Sequence, residues 1–403
     1  MVMQHLLRML GIASRLEARH LPSGLNSVFD GSRLAFADYV ASKRAMLEKF
    51  HPKLGAADLK KIVNGNAPFE LKPPAGFPAG QKKTYRRGVL LTHGLSDSPY
   101  SMRHLARFFE ENGFRIMAPL LPGHGTQPGD LLKVSWLEWA KTVAYGVDML
   151  AAEVDEVYLA GYSTGATLSV YQSLRDNRVR GLFLFSPALK ITRWAKLANL
   201  HKLYSWLIPS AKWVYILPDL DIYKYESFAK NAAAQLHALT KELNEQLRVY
   251  EVDIPVFIAA SADDITVKTS ATLEFLVRAR HPSNKLVLYT TDTENFPHGI
   301  SKEKVELVNS VLPEQKILSS AHTAILFPPD DKQYGVAGEY SNCVHYYPDD
   351  MEKYHACLKN PSADFQGELT EMNLNVGTLR RLMYNPNFAA LKISMQRFID
   401  DLP

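Results

Sequence analysis

A series of short apolar runs, separated by stretches of helix length, constrains this chain more than any other feature. The runs are Val89 to Thr92, Arg115 to Leu121, Val157 to Ala160, Leu182 to Phe185, Ile254 to Ala260 and Leu286 to Tyr289. They are continuous rather than alternating, which marks strands buried on both faces. Between them lie helix-like segments, among them Met102 to Asn112, Trp136 to Val154 and Ala166 to Asn177. Alternation of this kind builds an α/β fold, a mostly parallel sheet with helices on both faces.

The chain has 403 residues, more than one such sheet needs. Residues 81–330 are expected to form the core, with an N-terminal helical extension at 1–80 and a C-terminal extension at 331–403. In the first extension, Ala35 to Phe50 reads as a helix, and Met3, Leu6, Leu7 and Leu10 suggest an earlier amphipathic one. Arg8 and Arg15 interrupt that stretch, so it does not read as a secretory signal. It is expected to pack on the body of the protein, with weak contact to a membrane surface as the alternative. The strand–helix rhythm lapses between about 191 and 250, where Trp194, Tyr204, Trp206, Trp213, Tyr215, Tyr223 and Tyr225 cluster. An aromatic insertion between two core strands reads as a cap over a site. Leu379 to Leu402 reads as one or two helices broken at Asn385-Pro386-Asn387.

Composition narrows the function. Charged residues make up 22% and hydrophobic ones 46%, so a globular fold is expected. The net charge of +4 is spread along the chain, with no basic block among aromatics, which argues against nucleic acid as a partner. No apolar run reaches the roughly 18 residues of a membrane span. Cys343 and Cys357 are read as free thiols, which suits the cytoplasm; pairing in an oxidising compartment is the alternative.

The chemistry centres on Gly161-Tyr162-Ser163-Thr164-Gly165, which follows an apolar strand and precedes a helix. A sharp strand-to-helix turn exposes the serine hydroxyl, and small neighbours make room for the strained backbone. The Thr164 N–H and that of Leu95, in Thr92-His93-Gly94-Leu95-Ser96, are candidate oxyanion donors. His93 and His124 are read as loop-shaping. For the orienting carboxylate, Asp263 and Asp264 compete after the Ile254 strand, and Asp263 is preferred. For the base, His322 and His298 compete. His298 precedes an expected amphipathic helix, Lys302 to Leu312. His322 ends an expected strand, Lys316 to Ala321, and is preferred; this implies one extra strand–helix unit after the aspartate.

These residues, with Ser96-Asp97-Ser98-Pro99, Leu121-Pro122-Gly123-His124-Gly125 and Trp136 to Trp139, resemble the α/β-hydrolase superfamily. The resemblance is to the branch of monoacylglycerol lipases, lysophospholipases, carboxylesterases and serine aminopeptidase-like proteins. It covers roughly residues 86 to 327. It implies a sheet of about eight strands with an inserted helical cap, Ser163 as nucleophile with Asp263 in the carboxylate motif, and no metal or organic cofactor; the segment holding the histidine is longer than is usual in the family, where the separation of His298 from Asp263 is the more usual one. The expected activity is hydrolysis of a small ester or lipid-like substrate. An aminopeptidase would instead need a cap carboxylate, for which Asp219, Asp221 and Glu226 are available, although solvated surface is the role expected of them. A silent binding module is the third reading.

Overall fold

The computed structural model describes residues 16–26, 28–29, 33–190, 209–359 and 364–402. Helices α1 (Phe36–Phe50) and α2 (Ala56–Asn66) come first. Then follow β1 (Phe69–Leu71), β2 (Tyr85–Thr92), α3 (Arg103–Glu111), β3 (Phe114–Ala118), α4 (Trp136–Glu153), β4 (Val154–Tyr162), α5 (Thr164–Ser173) and β5 (Val179–Phe185). An insertion carries β6 (Trp213–Tyr215), β7 (Phe228–Ala229) and α6 (Lys230–Gln246). The core resumes with β8 (Val256–Ser261), α7 (Thr269–Arg278), β9 (Lys285–Thr290) and β10 (Val305–Asn309). The C-terminal extension adds α8 (Met351–Lys359), β11 (Phe365–Gly367), α9 (Glu371–Leu374), β12 (Leu379–Arg381) and α10 (Phe388–Asp400).

The main sheet has eight strands in the order β1-β3-β2-β4-β5-β8-β9-β10. Only β1 runs antiparallel to its neighbour; the others pair in parallel. The continuous apolar runs have their cause here. In β5, Leu182 and Leu184 enter one layer while Phe183 and Phe185 enter the other. In β8, Val256 and Ile258 divide from Phe257 in the same way. The first layer is filled by α4, α5, α6 and α7, through Leu150, Leu168, Leu239 and Phe275. The second is filled by α3 and by α10 of the extension, whose Phe398 ring meets Phe183 at 5.2 Å and Phe257 at 5.6 Å. Burying a side chain of this size contributes about 1.5–3 kcal/mol. The C-terminal extension therefore covers one face of the sheet.

Several expectations are corrected. Lys302 to Leu312 is not a helix: a short turn at Lys302–Lys304 leads into β10. Its valines and leucine alternate, with Val305 and Leu307 toward one layer and Val308 toward the other, and the strand pairs with β9. The extra unit before His322 is thus this edge strand, with no α-helix between β9 and β10. Lys316 to Ala321 is not a strand; only Ile317 makes isolated bridges, to Leu312 and Gln366. Leu379 begins a strand, and the helix starts beyond Asn387. Cys343 and Cys357 form a disulfide, with Cα atoms 6.0 Å apart. That pairing overturns the free-thiol reading and removes the ground for expecting a cytoplasmic setting. Among the described residues, no helix is long and apolar enough to cross a membrane.

The amphipathic segment around Met3 to Leu10 lies outside the described residues, as do Trp194, Tyr204 and Trp206 of the insertion. While α6 of the insertion lies in the first layer, its Tyr223 and Tyr225 sit on the loops after β2 and β3. Tyr225 N–H donates to Ser96 O at 2.7 Å, and its hydroxyl accepts from Thr126 N–H at 2.8 Å. Tyr223 stacks on Tyr100 at 3.9 Å, and buried Trp213 packs edge-on to His20.

Candidate active site

The strand order reverses between β3-β2 and β4, and crevices open beyond the carboxyl ends of strands at such points. Ser163 lies there, directly after β4. Its φ of 52° and ψ of −110° are strained for a residue with a side chain. Hydrogen bonds hold it so: its N–H donates to Phe185 O at 2.9 Å, and its carbonyl accepts from Thr167 and Ala188. The flanking glycines permit the close packing of this turn. A Cβ on Gly161 would lie 2.3 Å from the Gly165 carbonyl carbon, and one on Gly165 would lie 2.0 Å from Thr92 O.

Ser163 Oγ lies 3.1 Å from His322 Nε2, and His322 Nδ1 lies 2.6 Å from Asp264 Oδ2. The structure thus brings Ser163 and His322 together. The carboxylate that meets the imidazole is that of Asp264, not that of Asp263. The β8 strand ends at Ser261, and the turn after it swings Asp264 inward. Its Oδ1 accepts the N–H groups of Thr266 and Val267, while Oδ2 faces the imidazole. Burial alone would raise the Asp264 carboxyl. The His322 ring, the Val267 N–H and the Arg381 charge outweigh it and hold the group below the ordinary carboxylate range. Asp263 turns the other way and accepts from the Thr291 hydroxyl at 3.2 Å. Its burial, only partly offset by Thr291, raises it. His298 sits exposed on the loop between β9 and β10.

Thr164 opens α5, so its N–H is a first-turn donor that no helical carbonyl reaches. Leu95 follows Gly94, whose missing Cβ would lie 3.5 Å from Ser163 Cβ. Two buried histidines fix this loop. His93 Nε2 accepts from Leu121 N–H at 3.0 Å, and its Nδ1 bonds Gly94 O at 2.8 Å. His124 Nε2 accepts from Ser96 N–H at 3.1 Å, and Nδ1 faces the Leu121 and Pro122 carbonyls. An accepting Nε2 requires the neutral ring, and burial lowers His124 to about 4.

The sign of the pH effect follows. Between about 4 and the unfolded value near 6.5, the unfolded chain binds a proton that folded His124 refuses. Stability therefore falls as pH drops through that window, by about 3 kcal/mol for this residue. His93, lowered well below its ordinary value by burial, adds in the same direction. Urea unfolding between pH 7.5 and 4.5 is expected to show this loss, and His124→Gln should flatten it. An unchanged slope in the variant contradicts the assignment.

The three carboxylates of the insertion are buried or half-buried rather than solvated. Asp219 Oδ1 accepts the N–H groups of Glu226 and Ser227, both at 2.8 Å. Asp221 is buried and accepts the Tyr334 hydroxyl at 2.8 Å; burial raises it to about 7. Glu226 accepts the Tyr340 hydroxyl at 2.6 Å. One contact lay outside the sequence reading altogether: the His322 N–H donates to Glu368 Oε2 at 2.9 Å, from the C-terminal extension.

A parallel sheet with a strained serine after its central strand, a histidine and a carboxylate is the arrangement of an α/β-hydrolase. The model of the family described as serine aminopeptidase, S33, matches residues 83–304, and the chain belongs to that family. A thermostable monoacylglycerol lipase of Bacillus sp. (strain H-257) is 32% identical over 104 residues, 26% of this chain and 42% of that protein. A carboxylesterase of Bacillus subtilis (strain 168) is 32% identical over 98 residues, 24% of this chain and 38% of that one. The chain thus spans less than half the length of either curated relative. A solved structure from the pair LipS and LipT, metagenome-derived lipolytic enzymes, is 21% identical with a TM-score of 0.46, covering 56% of this chain and 87% of that one.

Proposed function

We propose that this protein hydrolyses carboxylic esters through an acyl-enzyme. The observation that carries this reading is the hydrogen-bonded line from Asp264 through His322 to Ser163. His322 Nε2 takes the proton from Ser163 Oγ as the oxygen attacks the acyl carbonyl. The Leu95 and Thr164 N–H groups hold the tetrahedral oxyanion. Asp264 fixes the imidazole tautomer and stabilises its positive form. As the intermediate collapses, His322 protonates the leaving alcohol. Water then attacks the acyl-enzyme by the same steps, releasing the acid and free Ser163.

The names of the two Bacillus relatives, a monoacylglycerol lipase and a carboxylesterase, support a carboxylic ester or a monoacylglycerol-like lipid as substrate. An aminopeptidase would need a carboxylate free to hold the substrate ammonium. Asp219, Asp221 and Glu226 instead accept hydrogen bonds from their own protein. The test is a direct comparison of p-nitrophenyl butyrate and a monoacylglycerol with aminoacyl p-nitroanilides. Ester turnover is expected to exceed amide turnover by several orders of magnitude; the reverse ratio overturns the reading.

A further inference from the structure

The family match ends at residue 304, before His322 and before the whole C-terminal extension. Yet His322 does not hold its place with core residues alone. The segment before it is tied to β11, with Leu318 N–H donating to Gln366 O at 2.8 Å and Gln366 N–H to Lys316 O at 2.9 Å. Strand β11 in turn pairs in parallel with β12, Gly367 opposite Arg381. This small sheet delivers two charged side chains to the base of the site.

Glu368 follows β11, and its side chain is fully buried. Oε1 accepts from Arg381 Nε at 2.8 Å and from Leu369 N–H at 2.9 Å. Oε2 accepts from the His322 N–H at 2.9 Å and from Arg381 Nη2 at 3.0 Å. The same Nη2 donates to Thr266 Oγ1 at 2.7 Å. Thr266 lies on the carboxylate loop, and its N–H donates to Asp264 Oδ1 at 2.7 Å. The pair therefore touches the backbone of the histidine loop with one member and the aspartate loop with the other.

We infer that Glu368 and Arg381 are positioning residues, an ion pair with a buried carboxylate by which the C-terminal extension sets the His322–Asp264 geometry. This rests on the serine-hydrolase reading above and adds to it a requirement for the extension. Neither residue contacts the reacting atoms. A guanidinium suits the task, since its fixed fork can hold a carboxylate with two donors and still reach a third group. A displacement of about 1 Å in such a site can cost about 10² in rate.

The test uses the full chain with Glu368→Gln, Arg381→Gln, the double variant and Thr266→Val. Two readouts serve: ester kinetics, and the rate at which a fluorophosphonate labels Ser163. The second depends on serine–histidine geometry whatever the acyl substrate. Each single charge variant is expected to lower kcat and the labelling rate about 10–100-fold, with KM within about two-fold. The double variant should cost less than the product of the two single losses, since the residues act as a unit. Thr266→Val, which leaves the ion pair in place, should give a smaller fall in the same direction and reports even if a charge variant fails to fold.

The pH profile separates positioning from plain loss of structure. Besides the pair, the charged and titratable groups about His322 among the described residues include Asp264, Asp97 on the β2 loop and Tyr162 at the end of β4. Lys224 of the insertion lies 6.0 Å from the Tyr162 ring. None of these is altered. Arg381→Gln leaves the Glu368 charge unbalanced at the His322 N–H, so the acid limb of kcat/KM should move to higher pH. Glu368→Gln leaves the Arg381 charge unbalanced, so the limb should move to lower pH. Folded variants that label and turn over like the natural chain, or whose limbs do not separate, overturn the inference. If the unaltered chain labels but does not cleave esters, the substrate reading fails while labelling still decides the positioning role. If the unaltered chain does not label, the hydrolase reading and this one fall together.

Discussion

Ser163→Ala is expected to lower kcat on a short ester by about 10⁶, the scale of nucleophile loss in a serine hydrolase. The reason is mechanistic. The acyl-enzyme route splits one difficult step into two, and alanine has no oxygen to form the intermediate. Donors at Leu95 and Thr164 remain in the variant, so a residual rate of about 10³–10⁴ over water should persist. His322→Ala should cost nearly as much, and the double variant should be little worse than either, because the two act as one device. The fold should survive. The backbone at Ser163 is held by Phe185, Thr167 and Ala188 through main-chain bonds that alanine keeps. His298→Ala serves as the control, since that residue is exposed on the β9–β10 loop. Progress curves for these variants, with thermal melts alongside, check the prediction. A Ser163→Ala protein with near-natural ester turnover contradicts the proposed mechanism.

The sheet and the serine turn could be read from the sequence because their signals are local. Continuous apolar runs such as Leu182 to Phe185 report burial on two faces, and the glycines around Ser163 report a turn that larger side chains would block. Signals that depend on how distant segments meet were not legible. Val305 to Val308 fits a helix or a strand as a short apolar run, and only pairing with β9 decides it. Glu368 and Arg381 carry no motif. They reach His322 because β11 docks on Lys316 to Leu318, a contact no spacing announces. The disulfide is of the same kind: Cys343 and Cys357 are 14 residues apart, and it is the folding of the extension that brings them together. The insertion's aromatic residues Trp213, Tyr223 and Tyr225 pack on His20, Tyr100 and the Ser96 and Thr126 backbone, contacts that no local pattern announces.

The choice between adjacent aspartates gives the sharpest test. Asp264→Asn is expected to lower kcat by about 10⁴, while Asp263→Asn should leave it within about two-fold of the natural chain. An amide at position 264 can present an N–H where the imidazole needs an acceptor, which favours the wrong tautomer and leaves no charge to stabilise the imidazolium. Asp264 is suited to the role because its side chain is buried, with Oδ1 occupied by the Thr266 and Val267 N–H groups and Oδ2 left for His322 Nδ1. Asp263 faces Thr291 instead, and burial outweighs the help that its carboxylate receives from the Thr291 and Ser310 side chains. A carboxylate so placed, already raised by burial, gains from losing its charge, so Asp263→Asn should be neutral or mildly stabilising in a urea melt. Kinetics of the two variants on one ester separate the possibilities. A large loss at 263 with little at 264 would return the orienting role to Asp263 and require the β8 turn to adopt a different conformation in solution.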